Sequence, residues 1–294
     1  MERYAAFRER MTEELKKEFP DIAVRVIDRE NGVKKEGFVL GGETGHIASP
    51  VIYLDELFAL YEDEELTVGE IAVRAAGTLK RPIPDVLREP LFSKEKILKG
   101  IVPTVVSKEE NRTFSEGVLC GDFLDLAVVY RMYIDDSGIG QGMVILPEQL
   151  LKREGILGEG AMSREELLEY AVSNMNRLLP PKLMSFSGEF CVLSNPGGFY
   201  GAAHILNRGY LSELSEKCGE SMFILPSSKH ELILIPESHV PDPDALYGMV
   251  EEVNRTAVLR EDYLSDNVYF YDRIAQAVLT YREVRAAAER LSVK

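Results

Sequence analysis

The stretch SMFILPSSKHELILIPE, Ser221 to Glu237, constrains the fold more than any other part of the chain. It reads as an apolar strand over Met222 to Leu225, a polar turn over Ser227 to His230, and a second apolar strand over Leu232 to Ile235. Apolar runs this short, bounded by Pro and Ser, fit strands that are central in a sheet or covered on both faces. Helix-like stretches lie on either side and supply the cover. The expectation is an α+β protein of antiparallel hairpins beneath amphipathic helices.

The rest of the chain repeats that theme. Tyr4, Phe7, Met11 and Leu15 recur at helical spacing between charged residues, which predicts an amphipathic helix over Glu2 to Phe19. Ile22 to Asp28 and Val33 to Leu40 flank Asn31-Gly32, the strongest hairpin signal present. Gly41, Gly42 and Gly45 form a loop, and a short helical stripe follows over Leu54 to Tyr61. Thr67 with Glu70, and Ser163 with Glu166, are spaced as capping boxes that open helices. Strands are expected near Ile101 to Val106, over Leu124 to Ile134, at Met143 to Leu146 and at Phe190 to Leu193. Tyr200 to Cys218 looks helical but interrupted at Gly209. A helix from Asp244 to Ala257, a strand at Asn267 to Tyr271 and a C-terminal helix close the chain. The order hairpin, Pro, helix occurs twice, at Leu146-Pro147 and Ile235-Pro236, with too little shared identity to establish a duplication.

A chain of 294 residues holds one large domain or two of ordinary size. Pro82, Pro84 and Pro90 break the pattern and divide it into residues 1–90 and 91–294, each an α+β module. No window approaches the ~18 apolar residues of a membrane helix, and the charged N-terminus is unlike a secretory signal. Cys120, Cys191 and Cys218 are far apart and odd in number, so a disulfide framework is not expected and the cytoplasm is the default location. All three thiols read as small buried hydrophobes.

Motifs that carry chemistry are sparse. His46, His204, His230 and His239 lack any metal-binding spacing; a site from His230, His239 and Glu231 or Glu237 is weaker than a turn and a loop histidine in water. Ser93 to Lys96 matches S-x-x-K, but Ser93 reads better as a helix cap. Gly138 to Gly142 lies inside a hairpin, where a nucleotide fingerprint does not sit. The Asn195 to Gly201 loop could offer N–H groups to an anion, or could simply feed a closely packed helix. Asp135-Asp136 and Asp242 with Asp244 flank turns, whereas Asp122 and Asp125 stand beside a strand expected to be buried. These patterns nominate no catalytic, cofactor-binding or metal-ligating residue, and no cofactor.

Two pairs of segments carry a resemblance. GMVILPEQLLKREGI with MSREELLEYAVSNMNRLLP, and MFILPSSKHELILIPE with YLSDNVYFYDR, resemble the domain of unknown function 5688 family of gut Firmicutes. That family looks similar to domain of unknown function 1444. The resemblance covers most of the chain from Pro50 onward and rests on packing and turn patterns. It implies a bacterial cytoplasmic protein of no assigned activity and transfers no functional residue.

The formal charge of −15 argues against direct nucleic-acid binding. Acids concentrate in Asp55 to Glu70, with seven and no base, and in Pro241 to Asp272, with eight against Arg255 and Arg260. The first functional expectation is a non-enzymatic adaptor that meets a protein partner, a basic one among the options, through these faces, without a membrane. The alternatives are an acidic decoy from a mobile element that inhibits a nucleic-acid-binding protein, or an enzyme whose site gathers His204, His230 and the Asn195 to Gly201 loop.

Overall fold

The three apolar residues that recur along the first helix explain the first unit. In the computed structural model α1 (Glu2–Lys16) places Phe7, Met11 and Leu15 at 1% exposure or less. They pack on Phe38 and Ile22 of a three-stranded antiparallel sheet, β1 (Ile22–Asp28), β2 (Lys34–Leu40) and β3 (Val51–Tyr53). Asn31 and Gly32 turn the first hairpin with φ of 58° and 66°, the left-handed region that Asn and Gly tolerate best. Two helices, α2 (Leu54–Glu62) and α3 (Val68–Leu79), close the core with Leu54, Leu57, Ile71 and Ala75.

The expected capping box opens α3. Thr67 Oγ1 accepts from the Glu70 N–H at 3.3 Å, and Glu70 Oε2 accepts from the Thr67 N–H at 2.8 Å. Thr67→Ala is expected to cost about 1 kcal/mol, read as a lower urea midpoint, while Thr67→Ser should keep most of it.

The structure describes residues 2–40, 51–63, 66–80, 92–112, 118, 120–136, 140–186 and 189–292. The expected Gly41 to Gly45 loop, the Pro82 to Pro90 break, and Glu64 and Glu65 lie outside them. The chain divides into two units, Met1–Leu91 and Phe92–Lys294.

The second unit holds two antiparallel sheets. After α4 (Lys94–Gly100), β4 (Ile101–Ser107) is buried at every position and pairs with β6 (Leu126–Asp136). On the other edge of β6 lie β5 (Cys120–Phe123) and then β7 (Gly140–Ile145). The short α5 (Glu148–Arg153) precedes α6 (Arg164–Leu178), which the Ser163 and Glu166 box caps as expected. Met175 and Leu179 pack with Val102 and Tyr133, and the buried Asn174 amide donates to the Leu98 and Ile101 carbonyls at 2.7 and 3.0 Å.

The second sheet has six strands, in the order β13, β12, β10, β11, β9, β8. These are β8 (Lys182–Phe186), β9 (Phe190–Ser194), β10 (Met222–Ser228), β11 (Glu231–Pro236), β12 (Tyr269–Asp272) and β13 (Ala277–Thr280). The hairpin at Ser221 to Glu237 supplies the two middle strands, as its apolar runs demand. Leu246 and Val250 of α8 (Ala245–Thr256) cover Phe223, Leu225 and Phe270, and α9 (Tyr281–Ser292) follows. The fold is α+β.

One expected helix is corrected. Tyr200 to Cys218 is a 3₁₀ segment (Gly201–Leu206) and then α7 (Arg208–Cys218). The break falls at Asn207, not Gly209. Asn207 caps α7 through its side-chain oxygen, which receives the Tyr210 N–H at 3.3 Å.

Candidate functional site

The turn of the central hairpin brings Lys229, His230 and Asp262 into one hydrogen-bonded group. Lys229 is only 4% exposed, held because its N–H bonds the Asp262 carbonyl at 2.8 Å and its ammonium donates to the Glu261 carbonyl at 2.7 Å. The same ammonium lies 3.2 Å from Asp262 Oδ1. His230 Nδ1 accepts the Tyr200 N–H at 3.1 Å, so the ring proton sits on Nε2 and is donated to Asp262 Oδ1 at 3.0 Å. Burial pushes the Asp262 carboxyl up. The Lys229 charge and the hydrogen bonds from His230 and Lys229 outweigh that, and hold it below its ordinary value.

The facing loop is fitted closely to this turn. Tyr200 has φ of 53°, a costly conformation for an aromatic residue. Its ring carries Arg131 at 4.6 Å and Lys229 at 5.4 Å, two cation–π contacts that keep it there. Gly201 follows because nothing larger fits. A Cβ there would stand 2.4 Å from both the His230 carbonyl and Ser194 Oγ. Ser194 Oγ itself donates to the His230 carbonyl at 2.8 Å. Arg131, 4% exposed, donates through Nε to Thr104 Oγ1 at 3.0 Å, which extends the cluster into β4 and β6.

An Asp–His pair suggests acid–base catalysis, but the pair's free nitrogen decides that role. Here the nitrogen opposite Asp262 receives a backbone N–H, not the hydroxyl or thiol of a nucleophile. Both ring nitrogens of His230 are hydrogen-bonded, one to the Tyr200 N–H and the other to Asp262. The cluster is a polar clamp between the hairpin turn and its neighbours.

The other sequence candidates are placed as follows. His204 does not join His230; it is fully buried and its Nε2–H donates to the Leu179 carbonyl at 3.1 Å. In the Asn195 to Gly201 loop the Gly198 N–H donates to the Asn195 carbonyl and the Tyr200 N–H to His230 Nδ1. His239 is exposed and bonds the Glu189 carbonyl at 3.1 Å. Ser93 caps α4, accepting from the Lys96 N–H at 3.4 Å. Asp122 is exposed and paired with Lys108 at 2.8 Å. Asp125 receives Ser265 Oγ at 2.6 Å and the Tyr269 hydroxyl at 2.8 Å. Burial, and then the Asp125 charge, raise the Tyr269 hydroxyl well above its usual range, so it stays a donor. Among the described residues, no group of three or more His, Cys, Asp and Glu side chains could hold a metal ion. None of their helices is long and apolar enough to cross a membrane.

Sequence reasoning missed Lys229, Asp262 and Arg131 as a group. Arg131 was the available signal, the one charge within the apolar run LAVVYRMYI, Leu126 to Ile134.

A second feature lies at the head of α8. A cleft of about 610 Å³ opens between β9, β11 and the start of this helix, floored by Phe190, Ile235, Val240 and Leu246. Met249 forms one side, and Glu189, His239 and Asp242 stand at the cleft. Pro241 and Pro243 bring the chain out of the sheet and into α8, so Leu246 and Val250 turn inward while Met249 and Val253 turn out.

Fold and site define an α+β protein with an internal polar clamp and an open apolar cleft. The model of a family of unknown function, DUF5688, matches residues 4–190 and 187–273, and the chain belongs to that family. No curated protein and no solved structure matches it.

Proposed function

We propose that the chain is a non-enzymatic, protein-binding protein of the bacterial cytoplasm, and that α8 and the turn after it form its contact surface. One observation carries the reading. Met249 and Val253, one turn apart on α8, are 57% and 41% exposed, and Leu259 in the turn after the helix is 65% exposed, all within a strongly acidic segment. An apolar row rimmed by polar residues marks contact surfaces, and scattered single exposures do not. The engaged state of His230 supports the same reading, because the enzymatic alternative requires its Nδ1. A decoy for a nucleic-acid-binding protein would present carboxylates in series, which this row interrupts.

Met249→Asp with Val253→Asp tests the surface. Both side chains already face water, so stability should change by no more than about 0.5 kcal/mol each. Tagged full-length chain should recover a discrete partner from the source lysate, and the double variant should lose about tenfold or more of it. Equal recovery by both would remove α8 as the contact surface.

A further inference from the structure

We propose that the cleft at the head of α8 seats a short apolar segment of a partner chain flanked by Lys or Arg. This rests on the protein-binding reading and names its partner's chemistry. The cleft's volume of about 610 Å³ falls within the ~300–1,000 Å³ of sites that enclose compact ligands. Phe190, Ile235, Val240 and Leu246 offer such a segment apolar contact, and Glu189 and Asp242 are carboxylates that suit a cationic flank. Met249 belongs both to the cleft and to the exposed face of α8, with Val253 one helical turn beyond. The apolar track therefore leaves the cleft and continues along the helix. A chain segment can follow such a track, with anchors spaced as in groove-bound peptides.

Charge selects among segments. The Asp244 carboxylate is paired with Arg285 at 2.8 Å, and Glu252 with Arg255 at 2.8 Å. Glu189 and Asp242, which stand at the cleft itself, have no ion-pair partner among the described residues. Cations on the incoming segment would meet them, steering the encounter and fixing its direction. A second copy of this chain is the poorer occupant, since two chains that each carry a formal net charge of −15 repel one another and neither is rich in cations.

The test uses the full-length chain and three fluorescein-labelled synthetic peptides of about 12 residues. The first carries four Leu at positions i, i+3, i+4 and i+7 with Lys flanks. The second exchanges the Lys flanks for Glu, and the third exchanges the Leu for Ser. Anisotropy should show saturable binding of the first, weakened by added salt, with the other two at least about tenfold weaker. Ala245→Trp, which fills the cleft mouth, and Asp242→Lys should each lower affinity for the first peptide about tenfold. Circular dichroism and Tm of each variant establish that it is folded, and Met249→Gln replaces Ala245→Trp if the larger side chain fails to fold. Equal binding of the first and third peptides would reduce the effect to charge alone and overturn the proposal. So would equal binding of the first and second, or binding untouched by the cleft variants. If Met249→Asp with Val253→Asp loses the cellular partner while Ala245→Trp keeps it, the protein-binding reading stands and the cleft seat falls.

Discussion

Asp262→Ala is expected to destabilise the second unit by on the order of 3 kcal/mol, the lower end of what breaking a buried ion pair costs. Lys229 has a side chain only 5% exposed and lies 3.2 Å from Asp262 Oδ1, so its charge has little water to fall back on. The Asp262 side chain is 24% exposed, which places the effect low in the range. His230 loses its acceptor in the same step, and the Nε2–H that fixes its tautomer no longer holds the ring toward the Tyr200 N–H. Tyr200 then keeps an unfavourable backbone angle with less to retain it. Unfolding in urea should show the lower midpoint with the slope unchanged.

The double variant Asp262→Ala with Lys229→Met separates a charge effect from lost packing. Removing both charges leaves no stranded ammonium, so the pair should cost clearly less than the sum of the single changes. Additive costs would show that the turn is held by shape alone. The pH dependence has a definite sign. Asp262 has a folded pKa below its unfolded value near 4. Its contribution is therefore complete above about pH 4 and is lost as pH falls through the folded value. A wild type no more acid-sensitive below pH 4 than Asp262→Ala would contradict the assignment.

How far the fold was legible in the sequence follows from periodicity. Phe7, Met11 and Leu15 recur with a helical period, and all three are core residues. The capping boxes at Thr67 and Ser163 are local chemistry, complete within four residues, and both are formed. The middle strands of the six-stranded sheet were visible as unbroken apolar runs: β10 is buried from Met222 to Pro226, and β11 buries Leu232 and Leu234 while half-burying Ile233 and Ile235. Edge strands need no such run. β8 and β13, with Lys182, Ser185 and Thr280 among their few residues, gave no comparable signal. β5 is short and carries Gly121 and Asp122, for the same reason.

The site was less legible, because its members are distant in sequence. Lys229 and His230 read as turn residues, and nothing local says that a carboxylate more than thirty positions later meets both. Tyr200 offered no hint of a left-handed backbone, since that conformation follows from the tight approach of Gly201 to the His230 carbonyl. The acidic stretch after Pro241 was visible, but composition alone could not show which of its residues would pair. Asp244 reaches Arg285 across forty-one positions, a fact of packing. The apolar row was similarly hidden: Leu246 and Met249 are both plausible core residues until the sheet fixes which face of α8 turns inward.

His204 provides the second large effect, and it is read by acid. Burial holds its pKa down, to about 4 against an ordinary 6.5, while its bond to the Leu179 carbonyl opposes the shift. Geometry agrees, since Nε2 already donates to Leu179 and the buried Nδ1 has no hydrogen-bond partner. Protonation would create a second N–H with nothing to receive it. The unfolded chain takes up this proton below pH 6.5 and the folded chain does not until about pH 4, so stability falls with pH across that interval. At 1.36 kcal/mol per pKa unit the loss between pH 7 and pH 4 is about 3 kcal/mol. This window lies above the one in which Asp262 titrates, so the two contributions separate along one pH series. His204→Gln or His204→Phe will lower stability at neutral pH, yet either should flatten the slope between pH 6.5 and pH 4. An undiminished slope in a folded variant would assign the acid sensitivity to another group.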